Sequence, residues 1–118
     1  TKEARNYIDM IKSVLRNLIN NAIKFSYEGS SIDVILTEND ERLVIDVKDH
    51  GVGISKDKQG KLFNTESHYS SHGTDHEGGS GLGLLLCKEF VRRNGGSLWF
   101  ESQEEVGSVF SFDIPFQQ

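Results

Sequence analysis

The spacing of the apolar residues changes once, near residue 26, and this change limits the chain to folds that combine helices with strands. Between Tyr7 and Phe25, apolar residues recur every three or four positions, as on one face of a helix. After the turn-rich stretch from Ser26 to Gly29, they alternate with polar residues, as on a half-buried strand. A chain with both patterns needs a helical layer packed against a sheet.

The rest of the sequence predicts a second hairpin and two more helices. The first hairpin alternates over residues 32–36 and 43–47, and the second over residues 98–100 and 110–114, with Pro115 at its end. Short and long helices are predicted from Lys56 to Phe63 and from Gly83 to Asn94, the latter stopped by Gly95 and Gly96. The predicted class is α+β, a two-layer sandwich in which helices cover one face of a mixed, mostly antiparallel sheet.

The length of 118 residues suits one domain, so we take residues 1–118 as a single unit with a single site. A net charge of -5 without a basic run argues against binding to nucleic acid or to an anionic membrane surface. Cys87, the one cysteine, lies among apolar helical residues, which favours a buried structural thiol and a reducing, cytoplasmic setting. Apolar runs stay well below the roughly 20 residues that span a bilayer.

A polar strip is predicted along the first helix. At about 100° per residue, Asn17, Asn21 and Lys24 fall close together beside the apolar stripe. Amide oxygens suit Mg²⁺, and a lysine can meet a phosphate as a point charge. Taken alone, the strip is better explained as ordinary solvated helix surface.

Two short motifs follow the second strand. In DHGVGI, residues 49–54, Asp49 can accept a hydrogen bond from an exocyclic amine, and the glycines at 51 and 53 leave room for a flat ring. A common Asp-x-Gly turn is the alternative reading. In KLFN, residues 61–64, Phe63 marks the change from helix to loop, and a core aromatic is the default interpretation.

The glycine-rich sequence GGSGLGL, residues 78–84, leads into a helix and predicts an anion site. Free backbone N–H groups and the helix dipole both favour a phosphate there. A polar loop from Asn64 to Gly79 precedes it, which excludes a dinucleotide-binding βα turn, and the absence of a following Gly-Lys-Ser/Thr excludes a P-loop.

Together these four motifs resemble the asparagine, first glycine, phenylalanine and second glycine boxes of histidine kinase catalytic domains in the GHKL ATPase superfamily. The resemblance runs from about Val14 to Pro115 and includes the closing GSVFSFDIP. It implies the Bergerat α/β fold, ATP and Mg²⁺ as ligands, and a lid at about residues 64–79. It also implies catalytic roles for Asn17, Asn21 and Lys24, with Asn21 as the Mg²⁺ ligand. The nucleotide would further contact Phe25, Asp49, Gly51, Gly53, Ile54, Leu62, Phe63, Gly79, Ser80, Gly81, Leu82, Gly83 and Ser108, with Asp49 on the adenine amine and Ser108 near the adenine through water.

Asn17 bears on the type of reaction. ATP-hydrolysing members of the superfamily, such as the gyrases, carry Glu four residues before the metal-binding Asn, and a neutral amide is a poor base for activating water. Transfer of the γ-phosphate to a histidine therefore fits better than hydrolysis. The lid departs from many relatives because it has no Lys or Arg, although His68, His72 and His76 could partly substitute for them when protonated.

The resemblance implies that the phosphoacceptor histidine lies in a separate dimerisation domain, since His50 lacks its sequence context. We expect a catalytic domain excised from a larger kinase, monomeric when isolated and unable to autophosphorylate alone. Its partners would be ATP or ADP, that domain and a downstream response regulator. The alternatives are a regulatory nucleotide-binding module without transfer and a GHKL-type ATPase.

Overall fold

The structure, a computed structural model, describes residues 2–60, 62 and 82–116. It confirms the predicted α+β class. The elements in chain order are α1 (Lys2–Phe25), β1 (Asp33–Glu38), β2 (Arg42–Lys48), α2 (Lys56–Gln59), α3 (Leu82–Arg93), β3 (Ser97–Gln103) and β4 (Gly107–Pro115). In the described part of the chain, no helix is long and apolar enough to cross a membrane.

The first helix is longer than its apolar pattern predicts, because it begins at Lys2 rather than Tyr7. Residues 2–6 are exposed and, apart from Ala4, polar, so they add no apolar periodicity although Lys, Glu, Ala and Arg are good helix formers. Val14, Leu18 and Ala22 form its buried line. The helix ends where the Ser26 amide and hydroxyl both donate to the Ala22 carbonyl, at 3.0 and 2.6 Å.

The strands form one sheet in the order β1-β2-β4-β3, and all its described ladders are antiparallel. The last strand in sequence, β4, therefore lies inside the sheet with a hydrogen-bonded neighbour on each side. Most of its residues are buried, whereas all six residues of the edge strand β1 are exposed. The two hairpins predicted from sequence are confirmed, and their joining through β2 and β4 completes the sheet.

The helices pack on one face of this sheet. The register places Phe110, Phe112 and Ile114 of β4 beside the inward residues of β2 and β3, and these side chains form a core with α1 and α3. Each fully buried large apolar side chain contributes roughly 1.5–3 kcal/mol to the free energy of unfolding. The opposite face is more polar; there the Ser111 hydroxyl donates to Asp46.

The two shorter helices, α2 and α3, end in different ways. α2 stops at Gln59, before the predicted Phe63. Its C-cap is Gly60, which still donates its N–H to the Lys56 carbonyl at 3.4 Å but has low helix propensity. At the end of α3, Gly95 has φ 84° and the Gly96 N–H donates to the Val91 carbonyl at 2.9 Å. This is a Schellman arrangement, and it confirms the predicted stop at Gly95 and Gly96.

Candidate functional site

The predicted polar strip lies on the side of α1 that faces the start of α3. A Cβ atom built on Gly83 would lie 2.9 Å from the Asn17 Oδ1 atom, so these two candidate residues meet. The Asn17 Nδ2 group donates to the Ser13 carbonyl at 3.0 Å, which leaves Oδ1 turned towards α3. Asn21 and Lys24 continue the strip one and two turns further along the helix and are both half-buried. The first and last motifs are therefore neighbours in space.

Lys24 also contacts an aromatic ring at the end of the strip. Its Nζ atom lies 5.6 Å from the centroid of the Phe25 ring, within the range of a cation–π interaction. Phe25 is itself half-buried. The positive charge is thus held near the end of α1 that reaches the DHGVGI segment.

Asp49 is the buried acidic group of the site. Its side chain is 3% exposed, directly after β2 and on the same face as Ile45 and Val47. The Ser108 N–H donates to its Oδ1 atom at 3.2 Å, and the Asp49 N–H donates to the Ser108 carbonyl at 2.9 Å. Burial raises the pKa of this carboxyl above its usual value, and the N–H groups of Ser108 and Gly51 and nearby His50 partly oppose that rise. A buried acceptor with a raised pKa is typical of a binding site.

The glycines at 51 and 53 allow neighbouring backbone to approach closely. A Cβ on Gly51 would lie 1.9 Å from the Phe25 carbonyl oxygen, and one on Gly53 would lie 2.2 Å from that of Gln103. The space that a Cβ atom would occupy is filled by protein backbone at both residues. The Val52 N–H also donates to the Phe25 carbonyl at 3.1 Å. These glycines fasten the segment after β2 between the end of α1 and the β3–β4 turn.

Ser102 is a site residue that the sequence reasoning missed. The register pairs it with Ser108, and the two hydroxyl oxygens are 2.7 Å apart. Ser102 Oγ also accepts the Ile54 N–H at 2.8 Å, so it joins β3, β4 and the segment after Asp49. The sequence could have identified it. Alternation along β3 places Ser102 on the inward face with Leu98 and Phe100, and a buried polar side chain needs a hydrogen-bond partner.

Two apolar candidates form the next layer. Ile54 and Leu62 are half-buried and pack against the core, together with Leu84 of α3. The Gln59 Nε2 group donates to the Ile54 carbonyl at 2.8 Å, so α2 holds this residue in place. Ile54 thus lies near the Asp49–Ser108 pair, to which its N–H connects it through Ser102.

Several predicted site residues cannot be placed. Phe63, Gly79, Ser80, Gly81 and the lid at residues 64–79, with its three histidines, lie outside the described residues. Leu82 begins α3, so the glycine-rich sequence does lead directly into a helix, as predicted.

The metal-binding side chains of the site suit a metal ion that is also bound by a ligand's phosphates better than an ion bound by the protein alone. Among the described residues, no group of three or more His, Cys, Asp or Glu side chains could hold an ion. The amide oxygens of Asn17 and Asn21 are the hard donors on the strip, and Lys24 adds a positive charge further along it. Two neutral oxygens and a cation fit Mg²⁺ only if phosphate oxygens and water complete its coordination.

Comparison with known proteins gives consistent results. Residues 6–118 match the family model described as histidine kinase-, DNA gyrase B-, and HSP90-like ATPase. The chain is 41% identical over 114 residues to the sensor histidine kinase WalK of Bacillus subtilis, covering 93% of this chain and 18% of that protein. It is 37% identical over 108 residues to the adaptive-response sensory kinase SasA of Crocosphaera subtropica, covering 91% and 28%. The chain therefore spans less than a third of each of these relatives.

Solved structures agree with the sequence relatives. The catalytic domain of the histidine kinase ThkA superposes with a TM-score of 0.74 at 30% identity, covering 91% of this chain and 67% of that one. A mycobacterial sensor histidine kinase, MprB, gives the same TM-score at 25% identity, covering 91% and 70%.

Proposed function

Because the chain belongs to the family of histidine kinase-, DNA gyrase B- and HSP90-like ATPases, we propose that it is the ATP-binding catalytic domain of a sensor histidine kinase. It binds Mg-ATP between the α1 strip and the start of α3, and the γ-phosphate passes to a histidine of a separate domain. The observation that carries the proposal is the position of Asp49, a buried carboxylate on the helical side of the sheet, in a segment whose next residues contact the end of α1. The relatives named above are sensor kinases, which supports the same reading.

Recognition of the base rests on Asp49. An ionised carboxylate accepts a hydrogen bond from the adenine amine but repels the carbonyl of a 6-oxo purine. Ser108, fixed to Asp49 through its backbone N–H, adds a hydroxyl at the same place. Gly51 and Gly53 hold Asp49 in register, while Ile54 and Leu62 supply an apolar wall for the ring.

The phosphates lie along the polar strip. Lys24 neutralises their negative charge, and the N–H groups at the start of α3, around Leu82 and Gly83, donate to phosphate oxygens. Phe63, Gly79, Ser80 and Gly81 belong to the same proposal by resemblance to the family. Asn21 holds Mg²⁺ with Asn17 beside it; the ion, bound with the nucleotide, offsets charge on the phosphates.

The proposal favours phosphoryl transfer over hydrolysis. Asn17 is a neutral amide that cannot take a proton from water, so the acceptor must itself be a good nucleophile, as histidine is. This chain then contributes positioning and charge neutralisation. Its partners are the dimerisation and phosphoacceptor domain of the same kinase and, after transfer, a response regulator.

Binding is tested first, by denaturant unfolding with and without nucleotide. At 100 times its dissociation constant, Mg-ADP should raise the free energy of unfolding by about 2.7 kcal/mol, and GDP should not. Asp49→Asn should abolish this increase. Asp46→Asn is the matched control, because Asp46 belongs to the same strand but bonds to Ser111 on the opposite face. Stabilisation of both variants, or of neither, would contradict the proposed base site.

Transfer is tested next. The domain is mixed with γ-labelled ATP and a separate protein that carries a phosphoacceptor helix pair. Label should appear on a histidine of that protein and not on the domain alone. Rapid release of inorganic phosphate by the isolated domain, without any transfer, would identify an ATPase instead.

A further inference from the structure

Two serine hydroxyls lie side by side on the inward face of the sheet, next to Asp49. Ser102 of β3 and Ser108 of β4 are paired by register, with their oxygens 2.7 Å apart. Ser108 is 5% exposed and Ser102 is half-buried.

Each of the two hydroxyls has one proton to donate, and this limits the hydrogen bonds that Ser102 and Ser108 can form. Ser102 Oγ accepts the Ile54 N–H at 2.8 Å and has one proton to give. Two acceptors are within reach, Ser108 Oγ at 2.7 Å and the Gly107 carbonyl at 3.3 Å. If Ser102 donates to Gly107, it can accept from Ser108, and both hydroxyl protons are then satisfied within the protein. If Ser102 donates to Ser108, the Ser108 proton must point elsewhere from a nearly buried position, which costs free energy.

The first arrangement leaves Ser108 with only lone pairs to offer a ligand. The neighbouring ionised Asp49 also offers only lone pairs, so both groups accept hydrogen bonds and neither donates one. A water between them would behave in the same way, since it would give its two protons to Asp49 and Ser108. Such a subsite matches an amine and opposes a carbonyl.

We propose that Ser102 is a positioning residue that holds the Ser108 hydroxyl as an acceptor and so excludes 6-oxo purines from the base subsite. This inference rests on the proposed adenine site and assigns part of its selectivity to a residue that acts through its neighbour. Without Ser102, the Ser108 hydroxyl rotates freely and donates to a ligand carbonyl. Selectivity then falls while the amine-binding carboxylate remains.

The test compares binding of ADP and inosine diphosphate by titration calorimetry. The base of inosine diphosphate has a carbonyl where adenine has its amine. In Ser102→Ala, the preference for ADP over inosine diphosphate should fall about tenfold, the effect of one buried hydrogen bond. Most of this change should come from tighter binding of inosine diphosphate. Ser102→Cys, which fills nearly the same space but forms only weak hydrogen bonds, should change the preference in the same direction and serves if the alanine variant does not fold.

A double variant separates positioning from general structure. Ser102→Ala with Ser108→Ala has no hydroxyl to rotate, so it should again reject inosine diphosphate. Equal loss of affinity for both nucleotides in Ser102→Ala would overturn the inference and leave the proposed function intact. Failure of the unaltered domain to bind ADP would overturn both.

Discussion

At the scale of single residues, the site depends on a carboxylate that is expensive to bury. Asp49 receives hydrogen bonds from the backbone N–H groups of Ser108 and Gly51, but burial still raises its pKa. The folded, ligand-free protein therefore holds a charge in an unfavourable place. An amine that meets this carboxylate relieves part of that cost, so stability and binding make opposite demands on Asp49.

We therefore expect the stability of the protein and its affinity for ADP to change in opposite directions with pH. Because the pKa of Asp49 is raised in the folded protein, its stability contribution is fully present below the ordinary aspartate pKa and is lost as pH rises through the raised one. Affinity for ADP should do the reverse and fall as pH decreases through the raised pKa. Unfolding and calorimetry at a series of pH values, starting near the ordinary aspartate pKa of about 3.9 and going upward, measure both. Asp49→Asn, which lacks the titrating carboxyl, is the control for the stability measurement; parallel pH profiles of stability in the two proteins would contradict the assignment.

Asn21 gives a second prediction at this scale. Asn21→Ala should weaken binding of ATP in the presence of Mg²⁺ on the order of tenfold, and it should change metal-free binding little, because one oxygen ligand is lost. Asn20→Ala is the matched control, since Asn20 is an exposed asparagine one position away on the same helix. The measurement is calorimetry with Mg²⁺ and with a chelator, and equal weakening in both variants would argue against a metal role.

At the scale of elements, local patterns in the sequence predicted the helices and hairpins but not their joining. The apolar stripe that contains Val14 and Leu18 and the alternation through Phe110 and Phe112 each follow from a short stretch of chain. The pairing of β2 with β4 brings together residues more than sixty positions apart, such as Val47 and Phe110, and no local pattern carries it. Helical periodicity predicted the polar candidates on α1 as well as its buried residues. The role of Ser102 depends instead on its neighbour on the adjacent strand, Ser108.

The glycines show where prediction from sequence ended. The DHGVGI pattern indicated that Gly51 and Gly53 need the absence of a side chain, and this is correct. The reason lies in other elements, the end of α1 and the β3–β4 turn, whose backbone occupies the space. Only the assembled structure identifies those neighbours.

Two glycines with similar backbone angles allow this close approach to be measured. Gly29 has φ 84° and no atom within 4 Å of a built Cβ, whereas Gly53 has φ 70° and the Gln103 carbonyl oxygen at 2.2 Å. Gly29→Ala should cost about 1–2 kcal/mol for the left-handed conformation alone. Gly53→Ala should cost roughly 1–3 kcal/mol more because the backbone must move apart. Denaturant unfolding measures both, and equal losses would mean that the contact at Gly53 relaxes freely.

At the scale of the whole molecule, stability is unevenly distributed. β4 is buried and bonded on both sides, and the Tyr7 hydroxyl ties α1 to it by donating to the Pro115 carbonyl at 3.0 Å. β1 is bonded to β2 and exposed along its whole length. The candidate site lies at the protected side, between β2, β4 and the helices. A ligand bound there should therefore stabilise the buried part of the sheet more than the exposed strand β1.

Hydrogen exchange should show the difference in local stability between β1 and β4. Amides of β1 should exchange through local opening, while those of β4 should exchange only near global unfolding. Mg-ADP should slow exchange in residues 49–54 and at the start of β4, and it should affect β1 little. Equal protection of β1 and β4 in the free protein would show that the edge strand belongs to the same cooperative unit as the core.

The strand order has a consequence for synthesis on the ribosome. β4, which is made last, inserts between β2 and β3, so a nascent chain that ends at Gln103 can form the first hairpin but cannot connect it to β3. Ser108, which fixes Asp49, is also still unmade at that point. The sheet of the growing chain therefore stays incomplete until residue 115 has left the exit tunnel, and the proposed nucleotide site and the core form in the same event.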